Sequence, residues 1–226
     1  MSDLLDAIEI ETGREPRAAV IWMHGLGADG HDFEPIVPEL QMPAAPAARF
    51  VFPHAPVQPV TINGGARMRA WYDVTNDGRQ DAAGVRASQA RIEALIARER
   101  ARGVAARSIV LAGFSQGGAI ALHTALRHPE RLAGILALST YLPLPDTVAT
   151  EAHAANRDVP IFMSHGTGDP VIPLSWAQRS RDHLVSLGYA VEWREYPMPH
   201  SVCAEEIADV GAWLRRVLTQ PSGDHS

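Results

Sequence analysis

Cysteine and long apolar runs are scarce in this sequence, and both shortages narrow the class of protein. A single cysteine, Cys203, among 226 residues excludes an internal disulfide and fits a reducing compartment. Residues 1–16 are acidic and lack the basic and apolar regions of a secretory signal. No uninterrupted apolar run approaches the roughly 18 residues needed to span a bilayer. We therefore expect a cytoplasmic protein without integral membrane contact.

Positive charge is also in short supply. The chain has 20 Lys and Arg against 26 Asp and Glu, which gives a formal net charge of −6 and a pI near 5.9. Nucleic acid and anionic lipid are negatively charged, so a protein with a net negative charge is not attracted to either of them electrostatically. The basic residues are also scattered along the chain. We expect no nucleic-acid partner.

Apolar residues, in contrast, make up 46% of the chain, which suits one globular domain with a sizeable core. Most apolar runs are continuous, as in strands covered on both faces of a parallel sheet. These runs span 18–23, 49–52, 108–112, 133–138 and 160–164, and an alternating run spans 191–196.

Helical patterns separate these runs. They span 82–102, 116–127 and 175–187, and a last helix, which Ser201 could cap, carries the stripe Ile207, Val210, Leu214 and Val217. Strands that alternate with helices favour right-handed βαβ units. The sequence therefore predicts an α/β fold over residues 1–226, with a mainly parallel central sheet, helices on both faces and a frayed tail at 220–226.

The strongest local signal for chemistry is Gly113-Phe114-Ser115-Gln116-Gly117, which matches the G-x-S-x-G nucleophile elbow. A clean apolar strand precedes it and a helical pattern follows it. The glycines let neighbouring backbone approach a serine held on a sharp turn, next to the free N–H groups of the helix. This pattern predicts Ser115 as a nucleophile. The alternative is an ordinary turn with an incidental serine.

A serine hydroxyl needs a neighbouring base, and in this arrangement the acid and then the histidine follow along the chain. His200 lies in a loop stiffened by Pro197 and Pro199, between a strand and the last helix. The other downstream histidines are better explained as surface or structural residues: His123, His128, His153, His165 and His183.

The acid should follow a strand and precede the histidine. Asp169 lies in a turn-rich loop after the run 160–164, although aspartates also serve simply as turn formers. Asp146 and Asp182 fit less well, because one lies in a proline-rich loop and the other on a helix face. Asp169 is therefore the predicted carboxylate that orients His200.

An oxyanion needs two N–H donors. One should be the backbone N–H of Gln116, and Leu26, in the glycine-rich loop after the first strand, is the candidate for the second. The loop His24-Gly25-Leu26-Gly27 lacks G-x-G-x-x-G and the lysine of a P-loop, which argues against nucleotide binding.

Residues 61–72 form a long stretch without a clear pattern, and such loops are often functional. Gly64-Gly65 suggests a mobile flap. An apolar acyl groove could be lined by five residues, although they could equally fill the core: Met68, Trp71, Tyr141, Leu142 and Val171.

A series of motifs runs nearly end to end, from about residue 18 to 218. They are Trp22 through Gly30, Phe52-Pro53-His54-Ala55-Pro56, Trp71-Tyr72-Asp73, Gly113 through Gly118, His165-Gly166 with Asp169-Pro170 and Pro173, and Tyr196 through His200. In this combination and order the chain resembles a known family, the bacterial carboxylesterases and acyl-protein thioesterases grouped as phospholipase/carboxylesterase proteins.

The resemblance implies an α/β-hydrolase without a large lid, and a triad of Ser115, Asp169 and His200. It also implies Leu26 and Gln116 as oxyanion donors, and no cofactor or metal. Thr140 stands where the family often has glycine, so the pocket rim and the chain-length preference are open.

The expected function is a carboxylesterase that cleaves small acyl esters of short to medium chain length through an acyl-enzyme. Thioesterase or lysophospholipase activity on the same site is the alternative. A binding protein without catalysis is a further alternative, which the order of serine, aspartate and histidine disfavours. An exposed apolar face could support a homodimer.

Overall fold

The computed structural model describes residues 4–219, and nine strands form its framework. In chain order they are β1 (Ala7–Glu11), β2 (Ala18–Met23), β3 (Ala48–Pro53), β4 (Val57–Val60), β5 (Ala66–Arg69), β6 (Ile109–Phe114), β7 (Gly134–Leu138), β8 (Ile161–Gly166) and β9 (Val191–Tyr196). Seven of them make one sheet in the order β1-β3-β2-β6-β7-β8-β9. All neighbours in it are parallel except β1, which runs antiparallel to β3.

Helices cover both faces of this sheet, as predicted. They are α1 (Ala82–Ala101), α2 (Gln116–Arg127), α3 (Val148–Glu151), α4 (Leu174–Ser186) and α5 (Ala204–Thr219). One core cluster packs α1, α2 and α4 on the first face, and a second packs α5 on the other. This layering, with a mostly parallel sheet and no large lid, is the α/β-hydrolase fold.

The continuous apolar runs became the central strands because each is buried on both faces. Every residue of β2, β3, β7 and β8 is buried. The first strand, β1, was not predicted, since its alternating sequence lies in a stretch dominated by acidic residues. It is an edge strand, and its outward glutamates explain that acidity.

The stretch 61–72 is not the irregular loop that its sequence suggests. β4 and β5 form an antiparallel hairpin, with Val57 opposite Arg69 and Val60 opposite Ala66. Gly64 and Gly65 form its tip, both with positive φ. Movement of this hairpin stays a prediction.

A buried ion-pair cluster joins β1, β3 and α1 at the amino-terminal edge of the parallel strands. Arg49 contacts Glu99 at 2.7 Å and Glu11 at 2.8 Å. The side chain of Glu99 is fully buried. Because Ser115 follows the carboxyl end of β6, this cluster lies at the opposite edge of the sheet.

The last helix begins at Ala204 rather than at a cap formed by Ser201, because the N–H of Ile207 bonds the carbonyl of Cys203. The predicted frayed tail at 220–226 lies outside the described residues. Within residues 4–219, no helix combines the length and apolarity needed to cross a membrane.

Candidate active site

Ser115 occupies a tight turn between β6 and α2, with φ 55° and ψ −122°. L-residues rarely adopt positive φ, so the surrounding packing must hold this backbone in place. A Cβ at Gly113 would lie 2.2 Å from the carbonyl carbon of Gly117, and a Cβ at Gly117 would lie 2.2 Å from the Met23 oxygen. The two glycines of the motif are therefore required by close backbone approach.

Hydrogen bonds from the neighbouring strand end support this turn. The N–H of Ser115 donates to Leu138 O at 2.9 Å, and the hydroxyl of Thr140 donates to Ser115 O at 2.6 Å. Thr140 is buried, and its methyl group occupies the space beside Gly118. Thr140 therefore lies beneath the turn, where it braces Ser115, and not at a pocket rim.

Three side chains from distant parts of the chain meet at this turn. Ser115 Oγ lies 2.9 Å from His200 Nε2, and His200 Nδ1 lies 2.6 Å from Asp169 Oδ2. The ring of Phe114 lies against the His200 imidazole, with centroids 4.7 Å apart. The arrangement can pass a proton from the hydroxyl to the imidazole while the carboxylate holds the ring.

The carboxylate of Asp169 is fully buried and held on both oxygens. Its Oδ1 accepts the N–H groups of Val171 at 2.8 Å and Ile172 at 2.9 Å. Burial alone would raise the pKa of Asp169, but the hydrogen bonds from His200 and these N–H groups hold it below its ordinary value. Asp169 is thus kept ionised opposite His200.

A further histidine, His165, contacts the same carboxylate. It is fully buried one residue before the end of β8, and its Nε2 lies 2.9 Å from Ile172 O and 3.3 Å from Asp169 Oδ2. Sequence reasoning treated it as structural. Its place in the shared His165-Gly166 motif, four residues before Asp169, was the signal that could have drawn attention to it.

The two predicted oxyanion donors flank Ser115. A Cβ at Gly25 would lie 3.4 Å from the Ser115 Cβ, so the glycine-rich loop passes directly beside the serine. Within residues 4–219, the backbone N–H groups of Leu26 and Gln116 donate to no other group. Both are therefore free to bind an oxyanion.

His24 fixes the start of this loop. Its Nε2 accepts the N–H of Ala55 at 3.0 Å, so the ring proton is on Nδ1, which donates to Gly25 O at 2.7 Å. Burial lowers the pKa of His24 to about 4, although the bond to Gly25 opposes this. Trp71 Nε1 also donates to His24 O at 2.9 Å.

The side chain of Gln116 joins the serine turn to the segment after β5. Its Oε1 accepts the N–H of Trp71 and its Nε2 donates to Tyr72 O, both at 2.7 Å. Trp71 is completely buried. It therefore supports the site from the core and has no surface to offer a groove.

The other predicted groove residues separate into two groups. Tyr141 and Leu142 line a cavity of about 480 Å³, whose lining does not include Ser115. Met68 is half-buried beside Gly27, and Val171 is 63% exposed outside the cavity lining.

This cavity is linked to the site through Tyr72, whose carbonyl oxygen accepts the hydrogen bond from Gln116 Nε2. Tyr72 and Tyr141 both line it and share a hydroxyl–hydroxyl bond of 2.9 Å. Trp176 packs edge-on against Tyr141 and also lines it. Among residues 4–219, no group of three or more His, Cys, Asp or Glu side chains is arranged to hold a metal ion.

A family model and individual relatives of known name indicate the same protein family. Residues 5–218 match a family model described as phospholipase/carboxylesterase. The chain is 35% identical over 238 residues to acyl-protein thioesterase 1 of Cryptococcus neoformans, covering 96% of this chain and all of that protein. It is 38% identical over 229 residues to acyl-protein thioesterase 1 of Mycosarcoma maydis, covering 93% and 95%. These relatives are fungal, so they do not support the bacterial part of the resemblance.

Solved structures of similar proteins have the same fold. Arabidopsis thaliana SOBER1 superposes with a TM-score of 0.85 at 32% identity, covering 90% of this chain and all of that one. Zea mays acyl-protein thioesterase 2 superposes with a TM-score of 0.83 at 28% identity, covering 94% and 99%.

Proposed function

Because the chain belongs to the phospholipase/carboxylesterase family, we propose that it hydrolyses acyl thioesters through Ser115, His200 and Asp169. The observation that carries this proposal is the hydrogen-bonded series from Ser115 Oγ through His200 to Asp169, on a turn with positive φ. A serine activated by a neighbouring imidazole is the usual nucleophile for acyl transfer.

Acylation begins when Ser115 Oγ attacks the acyl carbonyl carbon and His200 Nε2 accepts the hydroxyl proton. The carbonyl oxygen becomes negative and is bound by the N–H groups of Leu26 and Gln116. Removal of one such donor typically costs about 2.7–4 kcal/mol of barrier. The intermediate then collapses, the bond to the leaving sulfur or oxygen breaks, and His200 returns its proton to that atom.

Deacylation repeats these steps with water. His200 accepts a proton from water, the hydroxide attacks the acyl-serine, and the carboxylic acid leaves as Ser115 regains its proton. Asp169 stays ionised and stabilises the imidazolium in both halves. Its lowered pKa suits this role, since a protonated carboxyl could not do so.

A thioester substrate is favoured over the oxygen ester that the sequence first suggested. The fungal relatives are named acyl-protein thioesterases, which supports this choice. A thiol, with an ordinary pKa of about 8.5, is also a better leaving group than an alcohol. Carboxylester hydrolysis on the same residues is the second candidate, and lysophospholipids are a third substrate class to test.

The acyl chain is proposed to contact Tyr141 and Leu142, which line the cavity beside the serine turn. Met68 would border the oxyanion loop and Val171 the entrance. We also propose that the chain forms a single domain, with its core over about residues 18–218, that acts in the cytoplasm on small acyl substrates without a cofactor. The family match over residues 5–218 supports the single domain.

Replacement of the nucleophile tests this proposal. Ser115→Ala should lower kcat for matched thioester and oxygen-ester substrates by a factor on the order of 10⁴–10⁶, since the serine and its base act as a unit. A fluorophosphonate probe should label Ser115 in the wild type and leave the variant unlabelled. Ser186→Ala, which removes an exposed hydroxyl on α4, is the control and should retain activity.

Turnover by Ser115→Ala at the wild-type rate would remove Ser115 from the mechanism. A folded wild type that neither labels nor turns over either ester would indicate a binding protein. The ratio of kcat/KM for the two esters decides the substrate class, and preference for the oxygen ester would return the function to a carboxylesterase.

A further inference from the structure

His165 forms contacts with Asp169 that the mechanism above does not use. We propose that His165 is a positioning residue that holds the Asp169 carboxylate in the orientation needed by His200. This inference rests on the proposed function. The contacts that carry it are those of His165 Nε2 with Ile172 O at 2.9 Å and with Asp169 Oδ2 at 3.3 Å.

The position of the proton on His165 follows from its neighbours. A carbonyl oxygen and an ionised carboxylate can only accept hydrogen bonds, so Nε2 must carry the proton. In the described part of the chain, Nδ1 has no hydrogen-bond partner, and the side chain is fully buried. The ring proton of His165 is therefore on Nε2, where Ile172 O accepts it, and Asp169 Oδ2 lies 3.3 Å from the same nitrogen.

These contacts close a cycle around the carboxylate. The N–H of Ile172 holds Asp169 Oδ1, while the carbonyl of Ile172 accepts from His165, which also reaches Asp169 Oδ2. Without the His165 contact, Oδ2 would be held by His200 alone. Together with the bond to His200, the cycle restricts rotation of the carboxylate about its Cβ–Cγ bond.

The strand that carries His165 also contacts the histidine loop. A Cβ on Gly166 would lie 2.4 Å from Met198 O and 2.5 Å from Pro199 O, so this loop rests on the end of β8. The end of β8 thus contacts both the loop that carries His200 and the carboxylate of Asp169. The carboxylates that face His165 are Asp169 and, in register on β9, Glu195.

The first test uses the wild-type protein and histidine ¹⁵N NMR. His165 should show a protonated Nε2 and an unprotonated Nδ1 while His200 shows a downfield Nδ1–H resonance from its bond to Asp169. A proton on Nδ1 of His165 would overturn the inference, and this measurement does not depend on whether any variant folds.

The second test compares His165→Met, which removes the donor, with His165→Gln, which keeps an N–H near the Nε2 position. His165→Met should lower kcat by about 10- to 100-fold, because misplacement by about 1 Å can cost 10²-fold, while KM stays within about twofold. The downfield His200 resonance should broaden or move. His165→Gln should recover part of both effects.

His128→Gln is the matched control, since His128 is buried at the opposite end of α2 and has no hydrogen-bonded ring nitrogen within residues 4–219. It should leave kcat and the resonance unchanged. Wild-type kcat and an unchanged resonance in His165→Met would overturn the inference. Failure of the proposed function would look different, because the wild type itself would then lack turnover dependent on Ser115.

Discussion

Two buried residues, Glu206 on α5 and His24 directly after β2, have pKa values that are shifted in opposite directions. Burial raises the pKa of Glu206 to about 7, although the hydroxyl of Ser164, 2.6 Å away, opposes this. Burial lowers the pKa of His24 to about 4. The neutral His24 contributes stability above its ordinary value of 6.5 that is lost as the pH falls toward 4. Between about pH 4 and pH 7, Glu206 therefore stabilises the fold most at the lower end of the range and His24 at the upper end.

The raised pKa of Glu206 predicts a loss of stability as the pH rises from 5 to 8. Since its folded-state pKa lies above the ordinary 4.5, its protonated form stabilises fully below that pH, and this contribution is lost as the pH rises through about 7. The difference is on the order of 3 kcal/mol. Glu206→Gln keeps an acceptor for Ser164 and removes the charge. Urea unfolding at pH 5 and pH 8 should show that the variant loses less stability than the wild type.

The neighbouring Glu205 supplies the control, because it is exposed on the same helical turn. Glu205→Gln should follow the wild type at both pH values. Equal pH dependence in wild type and Glu206→Gln would show that Glu206 is ionised in the folded protein throughout this range.

At the scale of elements, the turn between β6 and α2 depends on how closely α2 approaches β2. Gly117→Ala would push its methyl group against the carbonyl of Met23, which is backbone and cannot rotate away. We expect a loss of about 1–3 kcal/mol in unfolding free energy, as for other overpacked sites. Slower acyl-enzyme formation should accompany it, because the loop that carries Leu26 begins at the same strand end.

Gly168→Ala provides the comparison, since its added Cβ would meet its nearest neighbour at 3.6 Å, an ordinary contact. Denaturation midpoints and burst rates measure both variants. A Gly117→Ala protein with wild-type stability and burst rate would show that the backbone shifts there at little cost.

The central elements were predictable because strands that are buried on both faces require a continuous run of apolar residues, which is visible in the sequence. Strands β2, β6 and β8 are continuous apolar runs, and α2 begins at the glycines of the serine motif. The hairpin of β4 and β5 was not predictable, since its pairing depends on contacts across Gly64 and Gly65. Its four-residue strands carry few buried residues and thus no clear period.

Within the site, the sequence indicated residues best where chemistry demands a residue type and least where only packing decides, and the catalytic roles stay predictions. Ser115, Asp169 and His200 were recognised from motif and order, and their side chains meet. Trp71 looked like a groove residue because aromatic side chains serve both roles, yet it is buried. His165 belongs to a shared motif that does not itself indicate a role, and its relation to Asp169 becomes visible only from the contact between the two side chains.

At the scale of the whole molecule, ion pairs connect β1, β3 and α1 at the amino-terminal ends of the parallel strands, away from the site. The chain contains no lysine, and Arg49 uses its planar fork to bind Glu99 and Glu11 together. Glu99→Met should cost about 3–5 kcal/mol, because it removes the fully buried partner of Arg49 and leaves that buried cation with Glu11, which is partly exposed. Urea unfolding measures this loss.

The double variant Arg49→Met with Glu99→Met should lose less than the sum of the two single variants, since it removes both charges. Its kcat should match the wild type under folding conditions, because the cluster lies at the opposite edge of the sheet from Ser115. Strict additivity of the three unfolding free energies would show that the ion pair contributes no coupling.

The order of strands also limits how copies of this molecule can associate. The margins of the sheet are β1 and β9, and both carry charged side chains engaged in ion pairs, such as Glu9 with Arg102 and Glu192 with Arg216. Charged margins resist the addition of a foreign strand and the fibrous aggregation that follows from it. A homodimer of this chain would therefore have to join through helices or loops, leaving the sheet of each copy separate.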